Sequence, residues 1–351
     1  MFSSKTRSMR GTSSKKIEDP TFEIDKIQVT DDINENGKYD EDGILFQRWE
    51  NEELPDYFLG QITKNNETFL GTFNGDFERT GYGFCTYENG DQYFGYFEKD
   101  QRNKHGIYLW PSEKKNGLIY SEMYYGFWNN NKRDKNGMYI WIDEPLGNEQ
   151  FEPANFDTYV GLIENDTFKR GTYLSKNGDD YYLYHGNFDN ELKKTDDNAF
   201  YYSSKYDRLL HGRIKKDVFD GGYVAFFNPE SGALQDIIHV TMGKDGNVIQ
   251  VKLRDELIKT DKDLAKEEKL ITTFRNVILE EDYFGDIFAK YKEIRNFLNT
   301  QMSSIDIYQD KEGLADIMDI CEGYNINNIY NDIEKKAFNN NIKLNKNINN
   351  F

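Results

Sequence analysis

One stretch, residues 69–91 with sequence FLGTFNGDFERTGYGFCTYENGD, constrains the fold more than any other. It reads as a hairpin: an aromatic-Gly-aromatic strand, a polar turn, a Gly-x-Gly strand and an Asn-Gly turn signal. Phe69, Gly71 and Phe73 alternate, as do Gly81, Gly83, Cys85 and Tyr87. Period two places each set on one face of a strand. Glycine inside a strand is tolerated where another group must come close, so these Gly rows are expected to admit aromatic rings from adjacent strands.

The same grammar returns five more times. Its first strands are Tyr93-Phe-Gly95-Tyr-Phe97, Tyr124-Tyr-Gly126-Phe-Trp128, Tyr159-Val-Gly161-Leu-Ile163, Tyr184-His-Gly186-Asn-Phe188 and Leu210-His-Gly212-Arg-Ile214. A partial copy precedes them at Phe58-Leu-Gly60-Gln-Ile62. A pattern recurring every few tens of residues marks a repeat architecture. The interval between motif glycines grows in the middle copies, which therefore carry insertions such as Pro145 to Pro153. The expected fold is mainly β: an elongated antiparallel sheet, a single-layer solenoid of hairpins, followed by a small α-helical C-terminal region.

These residues resemble the MORN family (membrane occupation and recognition nexus repeats), whose unit is close to Y-x-G-x-F, a short turn, then G-x-G and an aromatic. The resemblance covers about residues 57–227. It implies a scaffold or adaptor that binds other protein subunits in a cytoskeletal assembly, at a ciliary axoneme (radial-spoke-like) or the cell cortex. The family name also suggests a second role, tethering to membrane phospholipid. Fusions to lipid kinases and a methyltransferase occur in the family, but the sequence after the repeats offers no room for either.

Charge bears on both roles. The chain carries −18 in all. Residues 1–16 and 335–351 hold only basic charges, +5 and +4, so the body between them stands at −27. Such a body repels nucleic acid and anionic lipid and favours basic protein partners. No apolar run approaches a membrane span, the N-terminus lacks the apolar core of a signal peptide, and two cysteines make no disulfide framework. These features fit a cytoplasmic protein.

The chain divides into a disordered basic arm (1–30), an acidic loop with a lead-in strand (31–56), the repeat sheet (57–235), a capping hairpin (236–252), a helical region (253–338) and a disordered tail (339–351). Within the acidic loop, Asp32, Asn34 and Asn36 open like a calcium loop, but the twelfth position, which should be a bidentate Glu, is Gly43. An acidic turn is the expected identity. In the helical region Leu257, Leu264, Ile271, Phe274 and Ile278 form one apolar stripe, with Thr260 and Asp263 placed as a capping box. Phe284, Phe288 and Tyr291 belong to a second stripe, expected to stay partly uncovered and to dock a partner or a second copy of the chain.

Catalytic signatures are absent: no phosphate loop, no G-x-S-x-G and no H-E-x-x-H occurs. His105, His185 and His211 each precede a repeat Gly and are expected as strand residues rather than metal ligands; no cofactor is expected. Tyr108, Trp110, Tyr139, Trp141 and Tyr173 recur on one side of their strands. Most should fill the sheet, while some should line a groove for an extended partner.

Overall fold

The repeat grammar becomes a run of antiparallel hairpins. A computed structural model describes residues 38–39, 45–49, 57–64, 66–145, 155–228, 233–265, 267–268 and 283–300. It is mainly β, its antiparallel sheet is not closed, and helices are few. Two compact units divide the chain. The first holds β1 (Lys38–Tyr39), β2 (Leu45–Trp49), β3 (Tyr57–Lys64), β4 (Glu67–Asn74), β5 (Arg79–Thr86), β6 (Gln92–Glu98), β7 (Gln101–Lys115), β8 (Leu118–Asn129) and most of β9 (Lys132–Pro145). The second holds most of β10 (Asn155–Glu164), then β11 (Thr167–Asn177), β12 (Asp180–Asn187), β13 (Asp196–Ser203), β14 (Arg208–Lys215), β15 (Val218–Phe227), β16 (Leu234–Met242) and β17 (Val248–Lys252).

Register turns the motif glycines into a row. In the first unit Gly60 faces Gly71, Gly71 faces Gly83, Gly83 faces Gly95, Gly95 faces Gly106 and Gly106 faces Gly126. One ring fills two places of this row: it lies over the glycine two residues on in its own strand and over the glycine that faces it on the adjacent strand, as the alternation suggested. Tyr93 lies across Gly95 and Gly106, Tyr124 across Gly126 and Gly137, and in the second unit Tyr159 across Gly161 and Gly171. The phenol then reaches the carbonyl three residues on. Tyr93 donates to the Tyr96 carbonyl at 3.1 Å, Tyr124 to Phe127 at 3.0 Å, Tyr159 to Leu162 at 2.7 Å and Tyr184 to Asn187 at 2.6 Å. A buried hydroxyl needs such a partner, which explains why tyrosine fills this place in four copies.

The two glycines of G-x-G have different duties. Gly83 yields space to the Phe69 ring, whereas Gly81 has φ +71° at a register shift between β4 and β5. A left-handed residue at a bulge favours Gly. Lys104 (φ 50°) and Lys135 (φ 54°) take the same place two residues before Gly106 and Gly137. Each ammonium caps a half-buried ring, Lys104 over Tyr96 at 3.7 Å and Lys135 over Phe127 at 3.8 Å. A cation over a ring contributes about 0.5–1 kcal/mol at an exposed site, which offsets part of the left-handed cost.

Helices cover part of the sheet. Helix α1 spans Arg254–Leu257 and α2 spans Tyr283–Thr300. The first stripe is not one helix from Leu257, because Ile258 is extended and a new helical stretch, residues 261–265, starts after Thr260. There Thr260 and Asp263 bond reciprocally: the Asp263 N–H donates to Thr260 Oγ1 at 3.2 Å and the Thr260 N–H to Asp263 Oδ2 at 3.1 Å. In α2, Ile287, Tyr291, Ile294 and Leu298 are buried, the i, i+4, i+7, i+11 face of a helix laid on a core. Among the described residues no helix is long and apolar enough to cross a membrane.

A Cβ at Gly95 would meet the Gly106 Cα at 2.5 Å, the Tyr93 hydroxyl at 2.5 Å and the His105 carbonyl at 2.7 Å. Two of these are backbone and cannot swing aside. Gly95→Val should therefore destabilise by about 3 kcal/mol, the upper end for overpacking, in urea denaturation. Gly75→Ala, with nothing within 4 Å of its Cβ, should stay within about 0.5 kcal/mol.

Candidate functional site

The rings singled out in the sequence close on one another. In the first unit Tyr108 and Trp110 lie 4.7 Å apart, Trp110 stacks on Tyr139 at 5.1 Å, and Tyr139 stacks on Trp141 at 4.2 Å. All four are between 2 and 8% exposed. Tyr173, in the second unit, is 5% exposed, with the Lys194 ammonium 5.1 Å from its ring centre. These residues fill the sheet; none stands open as the wall of a groove. Tyr108 donates to Asp91 Oδ2 at 2.6 Å and Tyr139 to Glu122 Oε2 at 2.9 Å. Burial, reinforced by neighbouring charge, pushes both phenols far above the usual tyrosine range, so they remain protonated donors.

Between the rings runs a series of buried cations that sequence reasoning missed. Arg79, Arg102, Arg133 and Lys194 are each 1–6% exposed. The three arginines stand at the start of the second strand of their hairpins and Lys194 two residues before β13, in an isolated bridge with Phe188; each is clasped by the turn of the following hairpin. Arg79 gives its backbone N–H to Asp100 Oδ1 at 2.9 Å and its Nε to the same oxygen at 3.0 Å, while Asp100 returns its N–H to the Arg79 carbonyl at 3.0 Å. Arg133 repeats this with Asp166 at 3.0, 2.8 and 3.0 Å. Lys194 does so with Asp217, its N–H at 3.0 Å and its ammonium at 3.7 Å. At Arg102 the acceptor is Asn131 at 2.7 Å, and the guanidinium lies over four rings: Tyr87, Tyr93, Tyr108 and Trp128.

The turn residue does two jobs. Lys99–Asp100, Asn130–Asn131, Asn165–Asp166 and Lys216–Asp217 all have both φ values positive, from 46° to 68°. This is the type I′ pair that matches the twist of a two-residue hairpin. Asn and Asp tolerate it, and the side chain of the second residue is thereby aimed at the preceding repeat. Partners stand 21, 29, 33 and 23 residues apart. The legible signal was a basic residue two to five places before each second-strand Gly or Ala, combined with Asp or Asn closing the next turn.

The series is interrupted once. On β11 the place of the cation goes to Phe168, stacked on Tyr159 at 4.1 Å and 5°; the next turn is held instead by the Phe188 N–H to the Lys169 carbonyl at 2.7 Å and by the exposed Lys169 ammonium to Asn190 Oδ1 at 3.5 Å. Beside it, among the described residues, lies a cluster of the kind that catalytic sites use. Thr172 Oγ1 is 2.8 Å from His185 Nδ1, Arg170 reaches His185 Nε2 at 3.3 Å, and Arg170 pairs with Asp196 at 3.1 Å. A guanidinium only donates, so His185 Nε2 must accept and Nδ1 carries the proton toward Thr172. In that tautomer the ring donates to the hydroxyl and does not take a proton from it.

His211 is committed to packing. It stacks on Phe200 at 4.0 Å, and its Nδ1 meets the Ala199 carbonyl at 3.2 Å. Burial pushes its pKa down to about 4. Cys85 is buried, and its thiol is pushed up to about 11, chiefly by desolvation, which leaves it protonated and unreactive. Of the helical candidates, Tyr291 is 1% exposed and accepts from Arg295 at 2.9 Å, so it is spent on packing. Phe288 is half-buried against the edge of Phe156 at 6.2 Å; the Phe284 side chain lies outside the described residues. Asp32, Asn34 and Asn36 also lie outside them, and among the described residues no group of three or more metal-ligating side chains occurs. No family model matches the chain, and no curated protein is similar to it.

Removing Asp166 would leave the Arg133 guanidinium buried without its carboxylate. Breaking a buried pair costs about 3–5 kcal/mol; with Asp166 a third exposed, about 2–3 kcal/mol is expected for Asp166→Ala. Replacing both partners, Arg133→Met with Asp166→Ala, should recover part of that loss, as a double-mutant cycle in urea would measure. For His211 the folded pKa lies below the unfolded value of about 6.5. The unfolded chain therefore takes up a proton that the folded one refuses, and stability falls as pH drops from about 6.5 toward 4. Relative to pH 7.5, His211 should account for about 2 kcal/mol of loss at pH 5, and His211→Phe, which keeps the stack, should remove that part of the pH dependence.

Proposed function

We propose that this chain is a non-catalytic scaffold of MORN-like repeats, whose solenoid of hairpins holds protein subunits of a cytoskeletal assembly at an axoneme or the cell cortex. The observation that carries the reading is the repeated clasp. Four buried cations, Arg79, Arg102, Arg133 and Lys194, are each bonded to the turn of the next hairpin. Nearest-neighbour coupling of this kind is how repeat proteins sum their stability. The histidines, tyrosines and the cysteine described above are committed to the same packing. Membrane tethering is the weaker alternative, since a body of −27 is repelled by anionic headgroups.

Detergent extraction separates the two. In permeabilised native cells the scaffold should stay in the fraction insoluble in non-ionic detergent at physiological salt and leave it only at high salt. Quantitative release by detergent alone would defeat the scaffold reading and favour the tether.

A further inference from the structure

The registers of the second unit line up one residue from each of seven strands. Thr172 faces His185, His185 faces Phe200, Phe200 faces His211, His211 faces Tyr223, Tyr223 faces His239, and His239 faces Lys252. Directly opposed residues share a face of the sheet. Three of the chain's four histidines therefore stand in one row, on the alternate strands β12, β14 and β16. Two strand spacings set successive histidines about 10 Å apart, too far to share a metal ion. The fourth, His105, lies in the first unit.

Each of the three is placed where a second proton is unwelcome. His185 is buried and accepts at Nε2 from Arg170; a proton there sets N–H against N–H and a new cation beside the guanidinium. His211 is buried flat on Phe200. The carboxylate that favours its protonated form, Asp196, is engaged by Arg170 at 3.1 Å. His239 is half-buried, edge-on to Tyr223 at 4.9 Å, and burial and then the Lys252 ammonium hold its pKa below the ordinary value. Among the described residues, the charged and titratable groups facing the row are Arg170 from β11, Asp196 from β13, Tyr223 from β15, Lys252 from β17 and Asp263 from the stretch after Thr260. We infer that the row is an acid-triggered switch: mild acid opens the strands of the second unit together, while the repeats of the first stay folded. The sign follows from proton uptake. A histidine whose folded pKa lies below its unfolded value lets the open chain bind a proton that the closed one refuses. Its stability is full above about pH 6.5 and is lost as pH falls toward the folded pKa. Opening at one histidine uncovers the next, two strands away, so the loss is concerted.

Hydrogen exchange of the full chain from about pH 7.5 to about pH 5, corrected for the intrinsic pH dependence of exchange, tests this. The opening constant of β12–β16 is expected to rise at least about 25-fold, the share His211 gives by itself with a pKa of about 4 folded and about 6.5 unfolded. That of β4–β8 should change by less than about threefold. His185→Gln keeps an acceptor for Arg170, His211→Phe keeps the stack on Phe200, and His239→Phe keeps a ring against Tyr223. The triple variant should hold protection level across this range, and each single variant should take away part of the rise. Equal loss of protection in both units overturns the inference. So does loss that begins only below about pH 4, where carboxylates titrate, or a rise that none of the single variants reduces.

Discussion

Everything in the sheet depends on how a positive charge is kept among aromatic rings without water. A lone buried guanidinium is costly, and faces of Tyr, Phe and Trp recover only part of that cost. The rest comes from the turn of the following hairpin. At Arg133 the Asp166 carboxylate supplies a counter-charge, receives the arginine's own N–H, and its backbone N–H closes on the arginine's carbonyl. The interaction is available only when the next hairpin is in place. Each repeat therefore completes the core of the one before it, and order propagates along the chain by contacts between neighbours.

That dependence explains where variation is accepted. Asn131 stands in for the carboxylate beside Arg102, and there the rings close in from four sides and the Tyr87 hydroxyl accepts at 3.2 Å. Lys194 replaces arginine, and burial lowers its pKa despite Asp217, as expected of a point charge less suited to a forked contact. Phe168 removes the charge altogether, and a face-to-face ring pair with Tyr159 occupies the space. Four chemically different solutions thus fill one structural place.

Hairpins and glycine rows were legible because period two is strict over Gly71, Gly83, Gly95 and Gly106. Alternation reveals the face a residue occupies but not the direction its side chain leans along that face. This is why the rings over Gly83 and Gly106 were expected from the adjacent strand, where they do lie, whereas the cover that the same rings give to Gly71 and Gly95, two residues on in their own strand, was not. G-x-G itself hides two requirements, space at Gly83 and a left-handed backbone at Gly81, and only the second can be met by Lys104 or Lys135. The clasp was harder to find. Arg79 and Asp100, 21 residues apart, each look like solvated turn residues, and only the I′ geometry of Lys99–Asp100 aims one at the other. The burial of Tyr291 escaped for a related reason, because an amphipathic stripe states that a cover exists without naming which surface supplies it.

The clasp also decides how the chain bears tension. Strands in an antiparallel meander, pulled from one end, part like a zipper, one pair of hydrogen bonds at a time. Here the turn between β6 and β7 is bonded to Arg79 on β5, and the turn after β8 to Arg102 on β7. Peeling away a hairpin must therefore break its ladder and its link to the preceding repeat in a single event, under the same load. Force is shared across two elements wherever the cation is present, and on β11, where Phe168 replaces it, Arg170 ties the strand to Asp196 of the following hairpin instead.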